Sequence, residues 1–321
     1  MKKFVLWFMP LLILLSCTVE PPFEDLEIVD HIKIKGSSRY LEFGNNGDAW
    51  LQNGGGVKVF DEDLNMSYID LFDTLLGSGA NKIALDSQDR LWFDNLYQLK
   101  CYKDGEIITY SVNDSLGWNG GFLRSLSIDS NDNIWMIYQE YTYDSLKSTV
   151  VLFDQTDIHL FNRKNTGILS DTLSFIKLDS EDNIWVVAGD SLFKYNGTEW
   201  TCYDSEDFGF QVRSIQDLAI DQDGNICAAV NSLRFNKINK LMIYNPNRTL
   251  IYNIPETRTP SLFIDSDNML WYADRSSLIT FDGNVFRDVD YDFPPRFVNQ
   301  APNGDIWSVT DNGIYIYRKN K

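Results

Sequence analysis

Apolar and polar positions recur along this chain in one fixed order. An alternating strand runs into an Asp- or Asn-rich turn, then an apolar residue, then Trp. The seven copies are GNNGDAW (44–50), DSQDRLW (86–92), DSNDNIW (129–135), DSEDNIW (179–185), DQDGNIC (221–227), DSDNMLW (265–271) and APNGDIW (301–307). The marker falls at Trp50, Trp92, Trp135, Trp185, Cys227, Trp271 and Trp307. Nine residues before it stand Leu41, Ile83, Leu126, Ile176, Leu218, Leu262 and Val298, all aliphatic. Seven before it stand Phe43, Leu85, Ile128, Leu178, Ile220 and Ile264, with Gln300 the exception. Apolar residues two apart mark a strand with one face buried.

The fourth copy predicts a complete unit. LSFIKLD (173–179) is a strand, DSEDN (179–183) a turn and IWVVA (184–188) a second strand. SLFKYNG (191–197) is a third, ending in the hairpin signal Asn-Gly, and TEWTCYD (198–204) a fourth. The markers are 42, 43, 50, 42, 44 and 36 residues apart. Four short strands repeating at about that period predict an all-β, seven-bladed β-propeller with four-stranded antiparallel blades. The last copy has only three strands, and a spare strand, LEIVDHIKIK (26–35), precedes the first. That strand is expected to complete the last blade and shut the ring, removing exposed edges.

The chain has 321 residues, 44% hydrophobic and 23% charged, enough apolar content for a core. Evenly spaced copies favour one propeller domain over residues 26–321. Ahead of it, Lys2 and Lys3 precede an apolar run from Phe4 to Leu15, too short to span a bilayer, which ends in Leu14-Leu15-Ser16-Cys17. This resembles a bacterial lipoprotein signal: residues 1–16 removed, Cys17 lipidated, and 17–25 an acidic, Pro-bearing tether. Thr18 is not the Asp of inner-membrane retention, so an outer-membrane anchor in the cell envelope is expected. Removing residues 1–16 takes away two lysines and no acids, leaving 26 basic against 46 acidic side chains, net −20. Such a field repels phosphates and excludes nucleic acid and anionic lipid surfaces as partners. The lipid anchor is the one membrane contact expected, and the protein is expected to be a monomer. Cys101, Cys202 and Cys227 remain, an odd number, and no structural disulfide is expected. Cys227 stands in a Trp slot and should be a buried small hydrophobe.

The Trp residues should fill the spaces between blades, each stabilising by at most about 4–6 kcal/mol at about 25 cal/mol per Å² over about 150–250 Å². The Asp six before the marker (Asp86, Asp129, Asp179, Asp221, Asp265) suggests a calcium loop, but the third oxygen ligand and the Glu of that loop are missing. It should cap the turn. No metal and no cofactor are expected.

The phrase I-x-x-D-x-x-G/D-N-I-W followed by L-x-x-Y/F-D/N-G resembles the two-component-regulator propeller repeat. The match runs from about residue 40 to 321 and is best in 126–135 and 176–197. NHL-type and streptogramin-lyase-like propellers have a similar turn. The Gly-Thr usual after the Trp strand is replaced here, as in WVVAGD, WFDNL and WYADRS. The resemblance implies an extracytoplasmic ligand- or partner-binding module, here as a stand-alone lipoprotein, without a kinase.

The candidate site is where the copies differ. Connections from strand four to the next strand one, and from strand two to strand three, gather on one face around the channel. They offer Trp118 (in 111–125), Phe208, Phe210 and Arg213 (in 203–214) and Tyr291, Phe293 and Arg296 (in 290–297). Eleven before the marker stand Arg39, Arg124 and Arg296, equivalent positions that could converge on the channel mouth. Arg forks suit carboxylates or sugar hydroxyls, and aromatics suit sugar or peptide faces. The same residues could instead pack loops and balance acids. No catalytic residue is assigned, since the only histidines, His31 and His159, fall in the closing strand and an outer strand, and no nucleophile or metalloprotease motif is present. Three readings follow: a non-catalytic envelope lipoprotein binding a small molecule, glycan, peptide or protein at the channel mouth; a carboxylate-dependent lyase or glycoside hydrolase; or a scaffold with no small-molecule site.

Overall fold

Each of the first six copies of the repeat folds into one antiparallel sheet of four strands in sequence order, and the seventh supplies three. The computed structural model describes residues 13–14, 26–36, 38–71, 82–94, 98–110, 121–141, 146–167, 169–232, 239–254, 260–274, 277–289, 291, 293 and 295–319. Blade four has strands Phe175–Leu178, Ile184–Ala188, Ser191–Tyr195 and Trp200–Tyr203. The inner strands of the other blades are Ser38–Phe43, Ile83–Leu85, Gly121–Ile128, Val212–Ile220, Ser261–Ile264 and Pro295–Gln300. Consecutive inner strands are neighbours all the way round, the seventh beside the first. The fold is therefore a closed seven-bladed propeller.

Closure uses the spare strand. Leu26–Lys33 pairs antiparallel with Gly313–Lys319, Leu26 opposite Lys319 and Lys33 opposite Gly313. The N-terminal strand thus becomes the outermost strand of blade seven, and the His31 ring stacks on Tyr315 at 4.2 Å. A Cβ at Gly313 would lie 2.1 Å from the Ile32 carbonyl oxygen, and its φ is +145°, so only glycine lets the strand approach this closely. A two-residue strand, Ile13–Leu14, adds in parallel outside blade five, whose own four strands are complete without it.

Seven hydrophobic clusters fill the seven boundaries between blades. The aliphatic residue nine before the marker packs toward the preceding blade, and the marker itself toward the following one. Trp135 meets Tyr195 of blade four, and Trp307 meets Phe60 of blade one. The 50-residue spacing before Trp185 reflects eight-residue strands in blade three and a one-turn helix, Arg163–Thr166, capped by Asn162. The sequence did not predict that helix. Outer strands of blades one and two are more exposed than their alternating pattern suggests: Met66, Tyr68, Ile107 and Ile108 face solvent.

The Asp turn and the Trp are one unit. In blades two, three, four and six, one carboxylate oxygen of the Asp accepts backbone N–H groups of the turn. The other accepts the indole Nε1–H of the marker, from Trp92, Trp135, Trp185 and Trp271 at 2.7, 2.9, 2.8 and 2.6 Å. In blade one Gly44 replaces the Asp, and the buried Trp50 Nε1 has no hydrogen-bond partner among the described residues. Three before the marker the backbone is left-handed in every blade: Gly47, Asp89, Asp132, Asp182, Gly224, Asn268 and Gly304 all have positive φ. Asp and Asn tolerate this conformation, and here they also use it. Their side chains accept from the preceding blade's turn: Asn45 N to Asp89 at 2.7 Å, Ser87 N to Asp132 at 2.7 Å, Ser130 N to Asp182 at 3.1 Å and Gln222 N to Asn268 at 2.9 Å. Blade seven has Gly304 there, and Gln300 substitutes, accepting from Ser266 N at 2.8 Å. The one polar residue in an aliphatic column is thereby explained. These bonds latch blade to blade on the face opposite the expected site.

Candidate functional site

The alternation that buries positions seven and nine before the marker turns positions eight and ten toward the next blade at the channel wall. Polar side chains there satisfy backbone groups that no strand pairs. The Ser125 hydroxyl accepts from Ile176 N at 3.0 Å, Asp217 accepts from Leu262 N at 2.8 Å, and Asn299 Nδ2 donates to the Leu41 carbonyl at 2.9 Å.

Four charged residues occupy these positions: Glu42 of blade one, Lys82 of blade two, Lys177 of blade four and Asp217 of blade five. They feel one another across the channel. Lys177 Nζ pairs with Asp217 at 3.3 Å, and Lys82 Nζ lies 5.3 Å from the Tyr40 ring centre and 3.5 Å from the Ser125 hydroxyl. Burial raises the Glu42 carboxyl to about 7, with Lys177 and Lys82 opposing the shift. Burial lowers the Lys82 ammonium, as does repulsion from Lys177, while Asp217, Asp94 and Glu42 work against this. The Tyr40 hydroxyl is raised, first by burial and then by Asp94. The cluster couples opposite blades through the channel and holds one carboxyl that titrates near neutrality.

The sequence-predicted rim residues divide. Arg39, Arg124 and Arg296 each stand in a β-bulge at the entry to an inner strand, where the register shifts between Ser38 and Leu41, Leu123 and Ser125, and Pro295 and Phe297. A bulge takes its residue out of the ladder and re-aims the side chain. The three are thus equivalent in backbone and share one face. Arg39 and Arg124 are exposed; Arg124 Nε donates to Gln139 at 2.8 Å, and Arg296 pairs with Asp311. Arg213 is exposed in a further bulge, between Val212 and Ser214. Phe210 is partly buried under Lys240, whose Nζ lies 5.9 Å from the ring centre. Tyr291 is partly buried against the core between blades six and seven, and burial raises its hydroxyl. Phe208, read as a rim aromatic, is instead fully buried, edge-on to Tyr244 at 5.1 Å. Trp118 lies outside the described residues, as does Cys17. His31 and His159 sit in outermost strands, His159 Nε2 bonded to Asp154 at 3.0 Å. Cys101, Cys202 and Cys227 are free thiols, and Cys227 is buried as its slot requires.

Reasoning from sequence missed the channel cluster. Its signal is present: charged Glu42, Lys82, Lys177 and Asp217 interleave with the aliphatic column used to find the strands. Among the described residues no His, Cys, Asp and Glu group is arranged to hold a metal, and the turn carboxylates are occupied by N–H groups.

No protein-family model matches the chain, and no curated protein matches it. Solved structures do. The extracellular domain assigned to a hybrid two component system of B. thetaiotaomicron is similar at a TM-score of 0.65 and 17% identity. That match covers 92% of this chain and 41% of that one, so the chain spans less than half of the ectodomain. A catalytically inactive histidine-to-alanine variant of virginiamycin B lyase from Staphylococcus aureus, with Quinupristin, is similar at a TM-score of 0.65 and 12% identity, over 91% of this chain and 99% of that one. YCF48 bound to D1 peptide is similar at a TM-score of 0.67 and 11% identity, over 94% and 97%. Each is a likeness of fold.

Proposed function

We propose that this chain is a lipid-anchored protein of the cell envelope whose propeller binds a ligand or protein partner, a glycan or peptide, at the channel mouth without transforming it. The observation that carries the reading is the threefold arginine: Arg39, Arg124 and Arg296 stand in the same bulge of blades one, three and seven. Guanidinium forks on one rim suit carboxylates and sugar hydroxyls. Phe210, Arg213 and Tyr291 belong to the same rim. The fold it shares with a sensor ectodomain and with a peptide-bound propeller supports the reading. So does the position of both histidines on outermost strands, in contrast to a lyase that loses activity with one histidine. The protein acts as a monomer, tethered through residues 17–25 to the outer membrane.

Thermal-shift screening of purified protein against envelope glycans and acidic peptides tests the proposal. A hit should be abolished by replacing Arg39, Arg124 and Arg296 together with Gln while the melting temperature of the free protein holds. Binding retained by that variant removes the rim from the account. Radiolabelled palmitate should enter the wild-type chain and not Cys17→Ser; equal labelling contradicts the anchor.

A second reading rests on Glu42, whose carboxyl near 7 could serve as an acid in the channel. Turnover of a glycan that disappears in Glu42→Gln would favour this reading over simple binding.

A further inference from the structure

Blade five departs from the repeat at its marker, where Cys227 replaces Trp. In blades two and three the marker indole packs at the boundary with the next blade against a pair of aromatic rings. One ring comes from strand four of its own blade and another from strand three of the following blade. Trp92 packs against Tyr110 and Phe153, with ring centres 5.3 and 6.2 Å away, and Trp135 against Phe161 and Tyr195, at 5.9 and 6.0 Å. Strand pairing identifies the corresponding rings around Cys227 as Tyr252 and Phe281. Both are present. They lie 5.2 Å apart, as do Tyr110–Phe153 and Phe161–Tyr195 beside the indoles of blades two and three, so the rings have not moved into the vacant place.

A cavity of about 260 Å³ lies at this boundary, with Cys227, Ile243, Leu250, Leu270 and Phe281 on its apolar side and the polar residues of the turns around the rest. Engineered apolar cavities of about 150 Å³ already take up benzene. The hydrogen-bond acceptor for an indole is also in place. Asp221 accepts from Asp223 N and Asn225 N at 3.0 and 2.8 Å, and its second oxygen accepts from Asn225 Nδ2 at 2.7 Å. In blades three and four the equivalent oxygen accepts the same Asn amide and the indole N–H together. In blade five it has the amide alone, at the edge of the cavity. Burial raises the Cys227 thiol to about 12, so the floor of the cavity is neutral. Arg248, Asp282 and Asp223 stand at the polar mouth.

We propose that the cavity between blades five and six binds a planar heteroaromatic ring of indole size that donates an N–H to Asp221. The ring would lie where the missing Trp side chain would lie, against Phe281 and Leu270. This site is on the face of the turns, away from the arginine rim, and does not depend on the rim reading.

The test uses purified protein, with 5-fluoroindole observed by ¹⁹F NMR and indole by thermal shift. Both should bind at sub-millimolar to millimolar concentration. 1-Methylindole, which keeps the ring and loses the donor, should bind about tenfold more weakly or worse. Cys227→Trp should abolish binding and raise the melting temperature of the free protein. Cys227→Phe, a smaller change, should also abolish it and serves if the first variant does not fold. No indole binding, binding undiminished in a folded filled variant, or equal affinity for indole and 1-methylindole would each overturn the proposal. N-acetyltryptophanamide separates the two sources of such a ring. Affinity matching indole supports capture of a tryptophan side chain, and indole binding alone supports a free small molecule.

Discussion

Asp179 is the residue on which the paired role of turn and Trp can be measured. It accepts from Glu181 N at 3.0 Å and Asn183 N at 2.9 Å with one oxygen, and from Trp185 Nε1 at 2.8 Å with the other. Trp185 is 3% exposed, so in Asp179→Ala no water replaces the lost acceptor. An unsatisfied buried donor costs about 1–3 kcal/mol, and the lost turn cap about 1 kcal/mol more, by analogy with helix caps. The total is about 2–4 kcal/mol. At roughly 2 °C per kcal/mol for a chain of this size, the melting temperature should fall by about 4–8 °C. Asp221→Ala removes the same turn cap in blade five, where Cys227 has no indole to strand, and should cost only about 1 kcal/mol. Urea unfolding followed by circular dichroism measures both. In a Trp185→Phe background, Asp179→Ala should lose its extra cost and match Asp221→Ala, which isolates the indole bond as a coupling energy. Equal losses from Asp179→Ala and Asp221→Ala in otherwise unchanged chains would refute the pairing.

Removal of Leu26–Lys33 should lower the melting temperature by roughly 10 °C or more, because it strips the outer strand from blade seven and opens the ring; unchanged melting in calorimetry would contradict closure. Gly313→Ala places a Cβ 2.1 Å from the Ile32 carbonyl oxygen and should destabilise by about 2–3 kcal/mol through displacement of the same strand, read by hydrogen exchange across 26–33. Glu42 carries a pH signature. Its folded value of about 7 lies above its ordinary 4.5, so the native chain holds more protons in that window and Glu42 makes stability fall as pH rises through it. Glu42→Gln should flatten that slope and stabilise at pH 8 on the order of 2 kcal/mol; urea titrations at pH 5 and 8 with an unchanged difference would reject the assignment.

The architecture was legible because it is written seven times. A strand period of two, a fixed turn and a Trp marker together locate three of every four strands, and the unpaired strand at 26–35 supplies the closing edge. What escaped was coupling between columns. Asp at six before the marker and Trp at the marker are each visible, but their bond shows only in the exceptions: Gly44 lacks the acid and leaves Trp50 without a partner. Likewise Gln300 reads as an error in an aliphatic column until the neighbouring Ser266 amide is seen to need an acceptor where Gly304 has none. The site was less legible for a different reason. Recurrence grouped Arg39, Arg124 and Arg296, and equivalent register puts each of them in an equivalent bulge. It could not tell Phe208, sealed in the core, from Phe210 two residues on, since both lie in a connection without periodicity. The channel charges are non-repeating entries in a repeating strand, and only the closed ring brings Glu42 of blade one near Lys177 of blade four.

The same comparison of columns shows how the ring tolerates its own irregularities. The blade boundaries draw on two devices, a marker side chain packed into the next blade and a turn-to-turn hydrogen bond. The boundary between blades four and five has no latch, since Gly224 offers no side chain to Ser180, but it keeps Trp185 and adds the Lys177–Asp217 pair. The boundary between blades seven and one has Pro302 in the donor place, so it needs no acceptor, and it keeps Trp307 against Phe43 at 5.3 Å with Asn299 bonded to Leu41. The boundary between blades five and six loses its Trp but keeps the Gln222–Asn268 latch. No boundary loses both devices. A closed ring fails at its weakest joint, and the boundary that lacks its Trp is the one whose latch ties the turns on both sides of the cavity together. Gln222 reaches across with two bonds, to Asn268 and to the Ser266 carbonyl, and a wall held from both sides loses less freedom when a ligand enters.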